Sequence, residues 1–354
     1  MRFSPRINVL VGKNGSGKTN LVDAIYYLGL SKSAFSSTDL QCIRQGDNFF
    51  LLRGSFVMQE KTIEVSAMVQ SGSKKIMRED GLDYQKISDH IGKYPMVLIA
   101  PDDVDLIREG SEYRRRFMDS VISQLDKSYL ENLIQYNQAL RLRNGLLKMY
   151  FERGLSIDWT AMESYDTILI KSGNLVFSRR KQFVEELRPL FNHYYQYLVQ
   201  NSEHADLSYS SELTEVSFEE GLMKSRSKDA ALQRTSFGIH RDDYDFRLGE
   251  ELVRKFGSQG QQKSFVIALR LAQFSILERD KGFKPILLLD DIFDKLDDIR
   301  IGRLLELIKS AFGQLFITDA RPERTRALLD QIHIPSTIFN IEQGTVSAYE
   351  QKER

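Results

Sequence analysis

The sequence predicts an α/β fold: a mixed sheet together with an antiparallel β meander, interrupted by an inserted α-helical lobe. Three observations predict it. Ile7-Asn8-Val9-Leu10-Val11 is an apolar run that leads through a glycine-containing loop into a segment with Leu21, Ala24, Ile25 and Leu28 at helical spacing. Residues 49–78 then change to strand-like runs separated by short polar turns. A second apolar run, Ile286-Leu287-Leu288-Leu289, ends in Asp290-Asp291 after a long helical stretch.

Each element has its own signal along the chain. The strand over 7–11 and its helix are succeeded by a Ser-rich connection from Ser31 to Asp39. Residues 50–57, 62–69 and 74–78 read as three strands of a meander, with turns at Gln59-Glu60-Lys61 and Ser71-Gly72-Ser73. Residues 95–100 form a further apolar strand, ended by Pro101-Asp102-Asp103. From Ser111 to about Val199 the pattern is helical: Phe117, Val121 and Leu125 share a face, and Ser128-Tyr129-Leu130-Glu131 reads as a capping box. A third helical stretch begins near Asp158, and Pro189 predicts a kink or break within it. Strand character returns at 206–209 and 236–248, and a helix comes after Gly257. Beyond the acidic strand lie a helix over 299–312 and a strand at 314–317 ending in Thr318-Asp319.

Composition bounds the function. Lys+Arg and Asp+Glu are equal at 49 each, so net charge indicates no polyanionic partner and any nucleic-acid surface must come from local asymmetry. Arg114-Arg115-Arg116 and Arg179-Arg180-Lys181 are the densest basic runs, read either as a solvated helix face or as phosphate contacts. The single cysteine, Cys42, excludes an intrachain disulfide and suits a reducing cytoplasm. Scattered histidines give no metal-ligand spacing, although His240 reads as either a structural hydrogen-bonding residue or a member of the nucleotide site. Nothing approaches the apolar length of a membrane span, and no signal-peptide core is visible.

The motifs carry the chemistry. Gly12-Lys13-Asn14-Gly15-Ser16-Gly17-Lys18-Thr19 matches the phosphate-binding P-loop in its strand–loop–helix setting. Glycines let backbone N–H groups converge on an anion, the helix N-terminus adds partial positive charge, Lys18 reaches the β- and γ-phosphates, and Thr19 ligates Mg²⁺. Asp290, at the end of its strand, is placed to hold that Mg²⁺ with Thr19, and Asp291 to take a proton from an attacking water. A second loop, Gly257-Ser258-Gln259-Gly260-Gln261, opens a helix and offers the Ser258 hydroxyl to an anion. Lys18 and Asp290 lie about 270 residues apart, against the roughly 150 residues of an ordinary domain. The nucleotide-binding domain is therefore split by an insertion, and together with the Ser258-Gln259-Gly260-Gln261 loop ahead of the acidic strand it resembles an ABC-type P-loop ATPase head. In that arrangement the Ser258 loop caps the γ-phosphate held by a second copy, so an ATP-dependent homodimer is expected. The expected division is 1–110 for the N-terminal half of the ATPase lobe, 111–205 for the helical lobe, and 206–354 for the C-terminal half.

The chain resembles the RecF family of bacterial DNA replication and repair proteins, related to the SMC and Rad50 heads. The resemblance rests on the P-loop with Asn20-Leu21-Val22-Asp23-Ala24-Ile25, on Pro101-Asp102-Asp103-Val104-Asp105-Leu106-Ile107, and on Arg114-Arg115-Arg116-Phe117-Met118-Asp119. It extends through Gly238-Ile239-His240-Arg241-Asp242-Asp243, Ser258-Gln259-Gly260-Gln261-Gln262-Lys263, and Leu287-Leu288-Leu289-Asp290-Asp291-Ile292-Phe293-Asp294-Lys295-Leu296-Asp297. It implies slow, DNA-stimulated ATP hydrolysis with Mg²⁺, binding to double-stranded and gapped DNA, and a cytoplasmic, nucleoid-associated protein with no membrane contact. It further implies action with RecR and RecO in loading recombinase, supporting SOS induction and replication restart. Carried over by residue, Lys18, Asp290 and Asp291 are catalytic, Ser258 and Gly260 form the trans loop, and Asp297 is the D-loop acid. Thr318 or Asp319 stands where transporters carry a switch histidine. The family begins about twenty residues earlier with an edge strand beside the adenine, so either the true start lies upstream of Met1 or the edge strand is lacking; in the second case weaker base recognition and an exposed sheet edge are expected. The alternatives are an ATP-hydrolysing subunit of an ABC transporter and a clamp that uses ATP only to dimerise. The first would place its loops about a hundred residues apart and carry Glu at position 291. A GTPase is disfavoured by the lack of an Asn-Lys-x-Asp motif.

Overall fold

The computed structural model describes residues 1–199, 203–293, 297–333 and 335–352. In chain order the strands and helices begin with β1 (Ile7–Val11), α1 (Lys18–Leu30), β2 (Phe49–Met58), β3 (Lys61–Gln70), β4 (Ile76–Glu79), β5 (Leu82–Asp83) and β6 (Met96–Ile99). Then come α2 (Asp105–Arg108), α3 (Ser111–Leu125), α4 (Lys127–Glu152), α5 (Trp159–Val199), β7 (Ala205–Ser210), α6 (Phe218–Leu232), β8 (Asp243–Leu248), β9 (Glu251–Leu252) and α7 (Val253–Phe256). The chain continues with α8 (Gln259–Lys281), β10 (Ile286–Leu289), α9 (Asp298–Ala311), β11 (Leu315–Asp319), α10 (Pro322–Ile332), β12 (Ser336–Glu342) and β13 (Thr345–Lys352). They fall into two compact units, one of Met1–Asp103, Tyr194–Asn201 and Lys263–Arg354, the other of Val104–His193 and Ser202–Gln262.

The first unit holds a six-stranded sheet in the order β13-β12-β1-β11-β10-β6 and a four-stranded antiparallel sheet, β2-β3-β4-β5. The strands from β12 to β6 run parallel, with β13 antiparallel at the edge. The place beside β1 is therefore taken by β12, and β1 is paired on both sides rather than exposed. A strand so placed has both faces covered, which is why Ile7–Val11 is buried throughout. Helix α1 lies between the two sheets: Val22, Ile25 and Leu28 share a core with Val65, Ala67 and Met77 of the meander and Met96 and Leu98 of β6. Each fully buried Val, Leu, Ile or Met side chain in this core contributes about 1.5–3 kcal/mol. Close approach of the helix needs Gly54 in β2, where a Cβ would stand 2.7 Å from Leu28 Cδ1. The hairpin between β2 and β3 turns through Gln59 and Glu60, both with positive φ, the twist-matched geometry for a two-residue loop.

The second unit is built from α3, α4, most of α5, α6 and the small sheet β7-β8-β9. Residues 206–262, expected with the C-terminal half of the ATPase lobe, here pack with the helical segment, because α3 lies against β8 and α6 against α4. Helix α4 is capped by Asp126, whose side chain accepts from the Tyr129 N–H at 2.9 Å, so Ser128 lies inside the first turn rather than at the cap. Helix α5 runs on past Pro189. Val176, Phe183, Leu187 and Phe191 are buried along it, and burial on both sides of the proline offsets the lost backbone bond. The strand expected over 236–248 is shorter, since Ile239–Arg241 forms a 3₁₀ turn before β8. Helix α6 has no apolar stripe to announce it: its inward positions include Gly221 and Asp229, and a Cβ on Gly221 would meet the Phe237 ring at 2.1 Å.

Candidate functional site

The chain leaves β1 at Gly12, where a Cβ would lie 2.3 Å from the Ile341 carbonyl oxygen and 2.7 Å from Ser16 Oγ. Only glycine fits there. Gly15 and Gly17 take φ values of 78° and 105°, and the Ser16 N–H donates to the Lys13 carbonyl at 3.1 Å, which closes the loop. Gly17 gives α1 no side-chain cap, so the first-turn N–H groups are left for an anion. Lys18 is only 4% exposed, and its Nζ donates to the carbonyls of Gly12 (2.9 Å) and Lys13 (3.2 Å), which draws the ammonium across the loop. Ser16 Oγ is buried without a hydrogen-bond partner, a polar atom that a phosphate oxygen would satisfy. Asn14, Gly15, Gly17, Lys18, Thr19, Asn20 and Asp291 line a cavity of about 220 Å³ at this loop.

The acidic strand end meets the loop. Asp290 is buried at the end of β10, tied to β6 by its N–H to the Ile99 carbonyl (2.9 Å). Both of its carboxylate oxygens lie 3.1 Å from Thr19 Oγ1. Burial pushes this carboxyl above its ordinary value; hydrogen bonds from Thr318 and Thr19 oppose that, the Asp291 charge adds to it, and Lys18 counters it. The Thr318 hydroxyl donates to Asp290 Oδ1 at 2.8 Å and accepts the Asp291 N–H at 2.9 Å. Its one proton goes to this nearer carboxylate rather than to Asp291 Oδ1 at 3.3 Å. Asp291 itself takes a left-handed backbone, φ 44°. Asp319 is engaged elsewhere: it accepts from the Arg321 N–H at 2.8 Å and from the Thr325 hydroxyl of α10. Of the two residues ending β11, Thr318 is the one that touches the acids.

A threonine hydroxyl and one carboxylate in contact, beside an anion-binding loop, form a set of hard oxygen donors that fits Mg²⁺, an ion that leaves further positions to phosphate and water. Among the described residues no group of three His, Cys, Asp or Glu forms a metal cage. Asp103, in the Pro-Asp-Asp stretch, accepts from the Ala100 N–H at 3.0 Å and from the Arg270 guanidinium of α8, which ties the turn after β6 to that helix.

The remaining predicted residues have definite places. Ser258 and Gly260 belong to the second unit, at the start of α8. Ser258 Oγ accepts the Gln261 N–H (3.2 Å) while Gln261 Oε1 accepts the Ser258 N–H (2.7 Å), a reciprocal capping box. Asp297 caps α9 through the Arg300 N–H at 2.9 Å. The preceding Asp294-Lys295-Leu296 of the resemblance lies outside the described residues. The basic runs divide by residue. Arg114 is buried on Asp243, Arg180 is buried between Asp119 and Asp242, and Arg115 donates to the Asp242 carbonyl. Arg116 and Lys181 are exposed, Arg116 beside Glu112. With Arg179 paired to Asp126 and Glu186, four of the six charges in these runs are spent inside the second unit. His240 is structural: its Nδ1 lies 2.7 Å from the Tyr136 hydroxyl and its Nε2 3.0 Å from the Thr235 carbonyl. No helix among the described residues is long and apolar enough to cross a membrane.

Sequence reasoning missed the loop's support. Nothing in the P-loop motif marks Ile341 and Gly344 as its neighbours, although the Gly344 N–H donates to the Ser16 carbonyl at 2.8 Å.

The family model described as "RecF/RecN/SMC N terminal domain" matches residues 1–343. The chain is 47% identical over 340 residues to the DNA replication and repair protein RecF of Flavobacterium johnsoniae, covering 96% of this chain and 94% of that protein. It is 44% identical over 347 residues to the protein of the same name from Cytophaga hutchinsonii, covering 98% and 92%. A solved structure described as the recombination mediator protein RecF-ATP in the RecFOR pathway is similar over 100% of this chain and 93% of that one, at TM-score 0.88 and 26% identity.

Proposed function

The chain belongs to the RecF family of DNA replication and repair proteins, and from that premise we propose that it is an ATP-dependent, DNA-binding recombination mediator acting at gapped or stalled-fork DNA. It dimerises on ATP and resets by slow hydrolysis, working with RecR and RecO in recombinase loading, replication restart and SOS induction. The observation that carries this reading is the single cluster in which Thr19 of the P-loop, Asp290 of β10 and Thr318 of β11 are hydrogen-bonded together with Asp291 alongside.

In this reading Lys18 and the N–H groups of the loop hold the β- and γ-phosphates, and the Ser16 hydroxyl finds its partner there. Thr19 and Asp290 would hold Mg²⁺, which when bound neutralises phosphate charge. Asp290 is raised by burial, so a cation beside it favours the ionised form. Asp291 orients the attacking water and takes its proton. An aspartate is one methylene shorter than the glutamate of transporters and reaches less far, which suits a switch better than a motor. Ser258 of a second copy donates to the γ-phosphate, Asp297 borders the same composite site, and Thr318 couples phosphate state to both acids.

The test is ATP turnover on gapped duplex DNA with Mg²⁺ for wild type and Asp291→Asn. Turnover should fall roughly 10²–10⁴-fold with ATP affinity kept. Equal rates would sink the general-base assignment, and a wild type with no turnover would favour a clamp that uses ATP only to dimerise.

A further inference from the structure

The nucleotide loop rests on the far end of the chain. Strand β12 pairs with β1 through Val11 and Asn340, and immediately beyond, the β12–β13 ladder is irregular at Asn340/Ile341. The extra residue there, Ser347, belongs to β13, and β12 itself continues unbroken through Ile341. The Ile341 carbonyl, one residue beyond Asn340, lies so close to Gly12 that no Cβ fits between them. The hairpin then turns through Gln343 and Gly344, φ 48° and 78°. The Gly344 N–H donates to the Ser16 carbonyl at 2.8 Å, and the Gly344 Cα would stand 3.1 Å from a Cβ on Gly17.

That hydrogen bond fixes one peptide plane. In a trans peptide the C=O and the following N–H point in opposite directions. Holding the Ser16 carbonyl against the hairpin therefore aims the Gly17 N–H away from it. Gly17, left-handed at φ 105° and without a Cβ, leaves this plane free to flip about its φ, so an outside anchor is needed to select one orientation. We infer that the β12–β13 hairpin turn is a positioning element of the nucleotide site: the Gly344 N–H, by holding the Ser16 carbonyl, turns the Gly17 N–H toward the phosphates. This rests on the reading of residues 12–19 as an ATP site. Gly344 touches no nucleotide in this scheme; it acts through the loop.

Position 344 lies ten residues from the end of the sequence, within reach of a ligated synthetic peptide. The full-length chain is assembled with an ester in place of the Gly344 amide, which deletes the N–H and keeps the glycine. A control carries the ester one peptide earlier, at Gln343, which has no bond to Ser16. Affinities for ATP and for pyrophosphate are measured in Mg²⁺ by calorimetry. The Gly344 ester should weaken both by roughly five- to tenfold, the worth of one backbone hydrogen bond. The Gln343 ester should stay within about twofold of the unmodified ligated protein, as a loss confined to the Gly344 bond requires. In the unmodified protein the Gly17 amide resonance should shift on adding pyrophosphate, and in the Gly344 ester that shift should be lost. Equal weakening by both esters, or none by either, overturns the inference while leaving the ATP site intact. Failure of the unmodified ligated protein to bind ATP overturns the reading of the loop, and this inference with it.

Discussion

His240 shows how far one side chain's role depends on its surroundings. A carbonyl only accepts, so the Thr235 oxygen at 3.0 Å fixes the proton on Nε2, and Nδ1 is left to accept from the Tyr136 hydroxyl at 2.7 Å. Burial pushes this imidazole down to about 4, with Arg241 and Arg115 adding to the effect and the Thr235 carbonyl opposing it. The folded state thus holds the neutral ring while the unfolded chain takes up a proton near the ordinary 6.5. The stability this supplies is complete above the ordinary value and is lost as pH falls from there to about 4. The loss is about 1–1.5 kcal/mol by pH 5.5 and approaches about 3 kcal/mol below pH 4. His240→Gln keeps an acceptor and a donor, so its urea-denaturation midpoint should fall less between pH 7.5 and 5 than that of wild type. Parallel profiles would reject the assignment. His90, fully buried against the Leu28 carbonyl at 2.7 Å, is also shifted down by burial and adds loss of the same sign. Thr318 makes the complementary point at the nucleotide site. Beside Asp319 in sequence the two looked interchangeable, and only their partners separated them.

Among the elements, α4 gives the sharpest test. Ser128-x-x-Glu131 has the pattern of a capping box, yet the helix starts at Lys127 and Asp126 takes the cap. The pattern has two acceptable starts two residues apart, and local propensity does not separate them. Asp126→Ala should destabilise the chain by about 1 kcal/mol in chemical denaturation, with Asp126→Asn recovering most of it, while Ser128→Ala stays within a few tenths. A larger loss at Ser128 would restore the sequence reading. Helix α5 shows tertiary packing overriding a local signal. A proline in a helix interior costs about 3 kcal/mol, and buried Leu187 and Phe191 on its two sides supply more than that. Helix α6 shows the reverse failure, a helix without an amphipathic signature because glycine and a buried aspartate occupy its inward face. That aspartate, Asp229, receives Arg143 Nη1 at 2.8 Å and the Ser236 N–H at 2.8 Å, so its burial is paired.

For the whole molecule, the proposed composite site makes Ser258 the decisive residue. In the single chain it already caps α8 with Gln261, so Ser258→Arg would remove a cap as well as block a partner's phosphate. Ser258→Asp separates the two. Aspartate caps a helix as well as serine does, which keeps stability within about 0.5 kcal/mol, but it sets a negative charge against the γ-phosphate. Sedimentation with ATP and Mg²⁺ should show a monomer for Ser258→Asp where wild type dimerises. A dimer of the variant would refute the trans site. DNA affinity should also fall steeply with salt, although Arg114 and Arg180 contribute nothing to that slope, being held inside by Asp243, Asp119 and Asp242.

The sequence by itself determined the class of site. Gly12 to Thr19, Asp290-Asp291 and the distance between them announce an ATPase head split by an insertion, because phosphate and Mg²⁺ accept few residue types at few spacings. It also located the meander and the helical stretch, whose periods differ. Only the tertiary structure decided the features that depend on residues far apart in the chain. They include the burial of the basic runs on distant aspartates, the choice of Thr318 over Asp319, and the packing of 206–262 with the helices. Above all they include the C-terminal hairpin that holds the P-loop from the strand beside β1. The reason is physical. A loop motif records the residues that touch the ligand, whereas a backbone N–H from residue 344 carries no side-chain signature, and the sheet order alone brings it to Ser16.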